Sequence, residues 1–188
     1  MTAFTTEKID VEPWFDMELF MGVSQETRLG GDVMDRFMTL WKNWLPHLTV
    51  KGIDTGKIKY LLVALDESVE QDVDKAWEGS PSNAFLYNAL AQTMCMAAVH
   101  AVIPEVQDAG CAPAPKPTAT LREALEAEGI PYNNDKDPIL SRRYAVVTHY
   151  PFKGGCEICV LQSNCPKGQG QMEATSVVLP GYEHPQQM

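Results

Sequence analysis

Apolar residues recur at helical spacing in three stretches of this chain, separated by one short continuous apolar run and by segments rich in proline and glycine. Residues 12–22 open on Glu12-Pro13, a helix start, and continue through Trp14, Phe15, Met17, Leu19, Phe20 and Met21, apolar nearly all round. A segment of that kind predicts burial on more than one side. Gly30-Gly31-Asp32 marks a turn and an N-cap. After it Val33, Met34, Phe37, Met38, Leu40, Trp41, Trp44 and Leu45 repeat as a helix face until Pro46 ends it. A stripe of methionine and aromatic residues at that spacing reads as core rather than as a cofactor pocket.

From Lys57 the pattern changes. Tyr60 to Leu65 is a compact apolar run, a short strand or a buried helical start, and periodicity alone does not separate the two. Asp66, Glu67, Glu70, Asp72, Asp74 and Glu78 follow, predicting an acidic helix with a solvated face. They do not form a di-iron set, because that architecture needs Glu-x-x-His on inward faces and the chain has no Glu-x-x-His. Gly79-Ser80-Pro81-Ser82 is a break, with Ser82 or Asn83 as cap for the longest helix, residues 84–102. Phe85, Leu90, Met94, Ala97, Ala98 and Ala101 share one face, and the alanines let a neighbouring backbone come close. Cys95 and His100 lie in this helix and read as a small buried thiol and a hydrogen-bonded histidine.

Residues 108–117 form a Pro-rich, extended connector that puts Cys111 on a loop. Thr120 with Glu123 is a capping box opening a short helix through Leu121, Ala124 and Leu125, which Gly129 closes. Residues 130–135 are turn-rich. Tyr144 to His149 is the best strand in the chain, Thr175 to Leu179 a second one, and Glu183 to Met188 a loose end. The fold class this predicts is mainly α: a helical bundle-like core over residues 1–110, with a connector, short helix, small β element and Cys-rich metal-binding lobe over 111–188 packed on it as one domain.

Composition changes the picture in two places. At 188 residues and 45% hydrophobic the chain can bury a proper core. Fifteen basic against 25 acidic residues give a formal charge of -10, which repels phosphate backbones and argues against a nucleic-acid or anionic-membrane surface while suiting a basic partner protein. Residues 1–11 show no secretory pattern, and no uninterrupted apolar run reaches membrane-spanning length. With five cysteines, an odd number, the expectation is a reducing cytoplasm rather than a disulfide framework.

The chemistry sits in Gly155 to Pro166, where Cys156, Cys159 and Cys165 stand in C-x2-C-x5-C spacing. Two thiolates separated by two residues turn onto one metal, and a loop carrying Gln162, Ser163 and Asn164 is long enough to bring a third to the same point. A zinc ribbon would carry a second close Cys/His pair, so an iron-sulfur cluster is preferred and zinc is the alternative. A [4Fe-4S] cluster takes four ligands. Cys111 is the first choice for the fourth, with Cys95 and His149 behind it, because ligation by four cysteines dominates these clusters. A redox dithiol would leave Cys165 over. Gly168-Gln169-Gly170 lacks the third glycine of a nucleotide loop, no Gly-x-Ser-x-Gly occurs, and His47, His100, His149 and His184 have no nucleophile partner in sequence.

His149, Cys156, Cys159 and Cys165 read together as H-x6-C-x2-C-x5-C. That spacing resembles the iron-sulfur loop of endonuclease III-type DNA glycosylases, with His149 where that family has its first cysteine. It also resembles the C-x2-C-x5-C run of iron-sulfur nucleases of the exonuclease superfamily, where a remote upstream cysteine, here Cys111 or Cys95, completes the set. The likeness covers this local motif alone, and what it implies is the cluster type and not catalysis on DNA. The functions expected are, in order, an iron-sulfur protein in electron transfer or sensing with a redox partner protein, an accessory protein with a purely structural metal site, and an enzyme using an open iron as Lewis acid.

Overall fold

The computed structural model describes residues 4–134 and 137–165. The 175–179 strand, the 168–170 glycines and the 183–188 end lie outside the described residues.

The apolar run at Tyr60 settles the architecture. It is a strand, β3 (Lys59–Leu65), and all but its first residue are buried. Leu61, Val63 and Leu65 point into one apolar cluster while Tyr60, Leu62 and Ala64 point into another. A strand covered on both faces loses the usual alternation, because every position meets apolar neighbours. The chain before it, Leu-Thr-Val-Lys-Gly-Ile-Asp, is β2 (Leu48–Asp54), paired antiparallel with β3 from Leu48↔Leu65 to Asp54↔Lys59. The hairpin turns on Gly56, whose φ of 76° suits glycine, with Asp54 Oδ1 accepting from Gly56 N at 2.8 Å and Thr55 N donating to Ile58 O at 3.0 Å.

β1 (Thr5–Lys8) adds antiparallel to the far side of β2, and β4 (Ala145–His149) pairs antiparallel with β3, giving the order β1-β2-β3-β4. The fold class is therefore mixed α and β, built on a four-stranded antiparallel sheet, and not the mainly helical bundle that the helical stripes suggested. Two features hid the sheet. β2 is punctuated by Lys51 and Gly52, and β3 carries the uniform apolar pattern shared by buried strands and buried helices. β4, from beyond residue 110, shares the sheet with three strands from before it.

Five helices cover one face. They are α1 (Met17–Ser24), α2 (Gly31–Trp44), α3 (Glu67–Gly79), α4 (Pro81–Val102) and the short α5 (Glu105–Ala109). Phe20, Phe37, Trp41, Trp44, Val69, Val73, Leu90 and Met94 interlock there against Val50, Leu61 and Val63. Phe20 and Phe37 meet edge-on at 4.9 Å between ring centroids. The other face carries only α6 (Ala119–Ala127), through Leu121, Ala124 and Leu125, with Ile130 and Tyr132 beside it. α4 is long and apolar enough to pass for a membrane span, and ten of its residues are buried in the protein core instead.

The starts of α1, α4 and α6 depart from expectation by a few residues, each because another side chain reaches the free amides. Asp16, not the Glu12-Pro13 pair, caps α1, accepting from Leu19 N at 3.0 Å. Gly30 caps α2, Ser80 caps α4 with Pro81 in its first turn, and Thr118 caps α6, accepting from Leu121 N at 3.2 Å. The acidic face of α3 is partly spoken for: Asp72 accepts from Trp44 Nε1 at 2.8 Å, and Glu70 from Arg143 N at 2.9 Å. Asp74 holds the Arg143 guanidinium by two bonds of 2.7 and 3.2 Å. Glu70 and Asp74 thereby fasten the entry to β4, and Asp72 ties α3 to α2.

Candidate metal centre

β4 runs straight toward the cysteines. Its residues alternate, with Val146 and Tyr150 beyond it joining the helix-side cluster and Ala145 and Val147 the α6 side, while Tyr150 N donates to Lys59 O at 3.0 Å. Thr148 is buried, and its Oγ1 donates to Pro113 O at 2.9 Å, which ties the Pro-rich connector to the strand. From His149 to Cys165 no residue is buried. Phe152 is partly covered by the core; Val160 and Leu161 are exposed. This segment has no core of its own.

Backbone turns shape it. Gly154 has φ 144°, and a Cβ there would stand 2.3 Å from Glu157 Oε1. Only glycine fits that approach. The Glu157 carboxylate accepts from Gly155 N at 2.9 Å, and amide donation at residues 157 and 155 holds it below the usual carboxylate range. A 3-10 turn over Cys156–Ile158 closes with Cys159 N donating to Cys156 O at 3.2 Å. A second, over Gln162–Asn164, closes with Cys165 N donating to Gln162 O at 3.3 Å. Cys159 and Cys165 each terminate a turn in extended backbone. All three cysteines are half-buried, free thiols in otherwise largely exposed turns. Among the described residues, no group of three or more His, Cys, Asp or Glu stands close enough together to hold a metal ion.

Val160 N donates to Ala114 O at 3.0 Å. That bond lays the cysteine loop against the connector three residues beyond Cys111. Cys111 itself is half-buried and borders a cleft of about 630 Å3 between α1, α4 and β4, which also takes in His100 and to which Cys156, Cys159 and Cys165 do not contribute. His149 sits on the other side of β4, paired with Tyr60 in register and ring to ring at 5.4 Å. Burial first, and the nearby Lys153 ammonium second, lower its pKa, and its Nδ1 is buried with no hydrogen-bond partner among the described residues. Such an orphan polar atom is uncommon in a folded chain.

Cys95 is a different thiol. It lies in the core with Sγ donating to Tyr144 O at 3.5 Å, and burial pushes its pKa up to about 12. A thiol that resists ionisation under a layer of side chains packs and does not ligate. His100 is half-buried at the cleft, and burial lowers its pKa despite the nearby Asp16 carboxylate.

One constellation was invisible in sequence. His47 Nδ1 lies 2.6 Å from Asp66 Oδ2 and 3.2 Å from Ser68 Oγ, and Ser68 Oγ also donates to Asp66 Oδ1. Serine and aspartate meet the same ring nitrogen, whereas a nucleophile relay needs them on opposite ones. The Asp66 carboxylate also accepts from Ser68 N at 2.9 Å, as the N-cap of α3, so this is a helix cap closed over by a histidine. The chain was compared with protein-family models, curated proteins and solved structures, and nothing matches in any of the three.

Proposed function

We propose that the loop ending at Cys165 holds a thiolate-ligated [4Fe-4S] cluster, and that the protein serves a redox role, electron transfer or sensing. The observation that carries this is the pairing of three half-buried cysteines, at the ends of two successive tight turns, with a segment that buries no side chain. Apolar contact reaches this segment only at its entry, through Tyr150 and Phe152, so a bound centre is the natural source of cohesion beyond them.

His149 and Cys111 compete for the fourth position. Supporting His149 are its place in the H-x6-C spacing, its buried Nδ1 with no partner among the described residues, and the nearness of Lys153, at the loop entry, to the ring. Supporting Cys111 are its thiol chemistry and the Ala114 to Val160 bond. We favour His149, because Cys111 borders a cleft to which the loop does not contribute. The same lack of core also favours a second reading, a structural zinc site that pins the segment in an accessory protein.

Anaerobic purification and a visible spectrum test the proposal. The expected result is a brown protein whose broad thiolate-to-iron absorption bleaches on dithionite. Colourless protein with stoichiometric zinc would support the structural reading, and metal-free protein after iron and sulfide reconstitution would end both. His149→Ala and Cys111→Ala separate the fourth-ligand candidates by which one loses the cluster. Retention by both variants would point to an open iron.

A further inference from the structure

We infer that the cleft between α1, α4 and β4 is a binding site for a small organic amine with an apolar body. Its volume of about 630 Å3 falls within the ~300–1,000 Å3 typical of small-molecule sites. Leu19 and Val23 of α1, Met96 of α4 and Val146 of β4 make its apolar walls. Asp16 and Glu18 bring carboxylates to one side, His100 supplies a ring nitrogen, and among the described residues no lysine or arginine lines the space. An apolar body is matched by those walls, an ammonium by the carboxylates, and an anion by nothing there.

A second, independent observation concerns Gly22. It lies inside α1, where glycine costs about 0.5–1 kcal/mol relative to alanine. Its φ is not in the positive range, and a Cβ built on it meets nothing within 4 Å. Nothing in the folded chain requires glycine there. Gly22 lines the cleft, and the missing side chain widens the wall next to Glu18 and Leu19. A ligand seated against α1 accounts for a glycine that the fold does not need.

The cleft takes no residue from the cysteine loop and none from His149, the favoured fourth ligand, although Cys111 borders it, so its test does not depend on the metal centre as proposed above. The probes are tryptamine, 3-ethylindole and indole-3-propionate, similar in apolar body and carrying positive, zero and negative charge. Binding is read by saturation-transfer NMR and calorimetry on the full chain. Tryptamine should bind about tenfold or more tighter than indole-3-propionate, the neutral compound falling between. Glu18→Gln should narrow that difference. Gly22→Leu fills the wall with a good helix former, so it should abolish tryptamine binding at an unchanged or raised melting temperature, and Cys156→Ser should leave binding as it is. Failure of tryptamine to bind at its solubility limit, equal affinity for the three probes, or unchanged binding in a folded Gly22→Leu protein would each overturn the assignment.

Discussion

Two regions of this molecule are held together by opposite means. Around β3 every side chain from Tyr60 to Leu65 is buried in one apolar cluster or the other, and cohesion comes from excluding water. From His149 to Cys165 nothing is buried, and the chain is shaped by tight turns, by Glu157 folded back on Gly155, and by single bonds to Lys59 and Ala114. The cysteines divide along the same line. Cys95 belongs to the first region as a small core residue whose thiol resists ionisation, while Cys156, Cys159 and Cys165 belong to the second, half-exposed and outside any disulfide. Residue type alone does not make a ligand; surroundings decide it.

The sharpest way to break this contrast is to damage one region and watch the other. Phe37→Ala removes a fully buried ring and should cost about 3–5 kcal/mol in denaturant unfolding, while metal bound per folded molecule stays the same. Linked loss of metal at low denaturant would mean the two regions are not independent. Cys95→Ala should cost about 1–2 kcal/mol through the small cavity and the lost bond to Tyr144, again without changing metal content. Loss of metal in that variant would move Cys95 into the ligand set.

Val160→Pro works from the other side. It deletes the amide that reaches Ala114, and the preceding Cys159, at ψ 124°, already has the extended backbone that a following proline requires. The expected result is weaker metal retention during chelator challenge, with apo-protein stability shifted by no more than about 0.5 kcal/mol. The smallest effect is at the α3 edge. Hydrogen bonding to Arg143 depresses the pKa of Asp74, so its stabilising contribution is present above the ordinary aspartate value of 3.8 and lost as pH falls through the lowered one. Asp74→Asn should therefore lower stability slightly near neutrality, leave it unchanged below the lowered pKa, and so flatten the acid end of the stability profile.

What the chain reveals of itself follows the same division. The helical stripes of α2 and α4 are legible because their burial is periodic, and the strand at 145–149 because Val146, Val147 and Thr148 form a β-branched run. β2 and β3 are not: one is broken by Lys51 and Gly52, and the other is buried on both faces and so carries no period. Caps were displaced because Asp16, Ser80 and Thr118 compete with equally suitable neighbours, and the choice depends on how each helix packs. The cysteine spacing is legible because it is local. The partners of Cys111 and His149 are tertiary, and only the crossing of the connector over β4 separates the two. The cleft beside Gly22 had one local trace, a glycine within an apolar helix.

The most direct measurement is the iron and acid-labile sulfide content of anaerobically purified protein, compared with a variant in which Cys156, Cys159 and Cys165 are all serine, both checked for folding by circular dichroism. The account predicts about four of each per chain in the parent and none in the folded variant. Equal metal in both, or none in a folded and reconstituted parent, would contradict it.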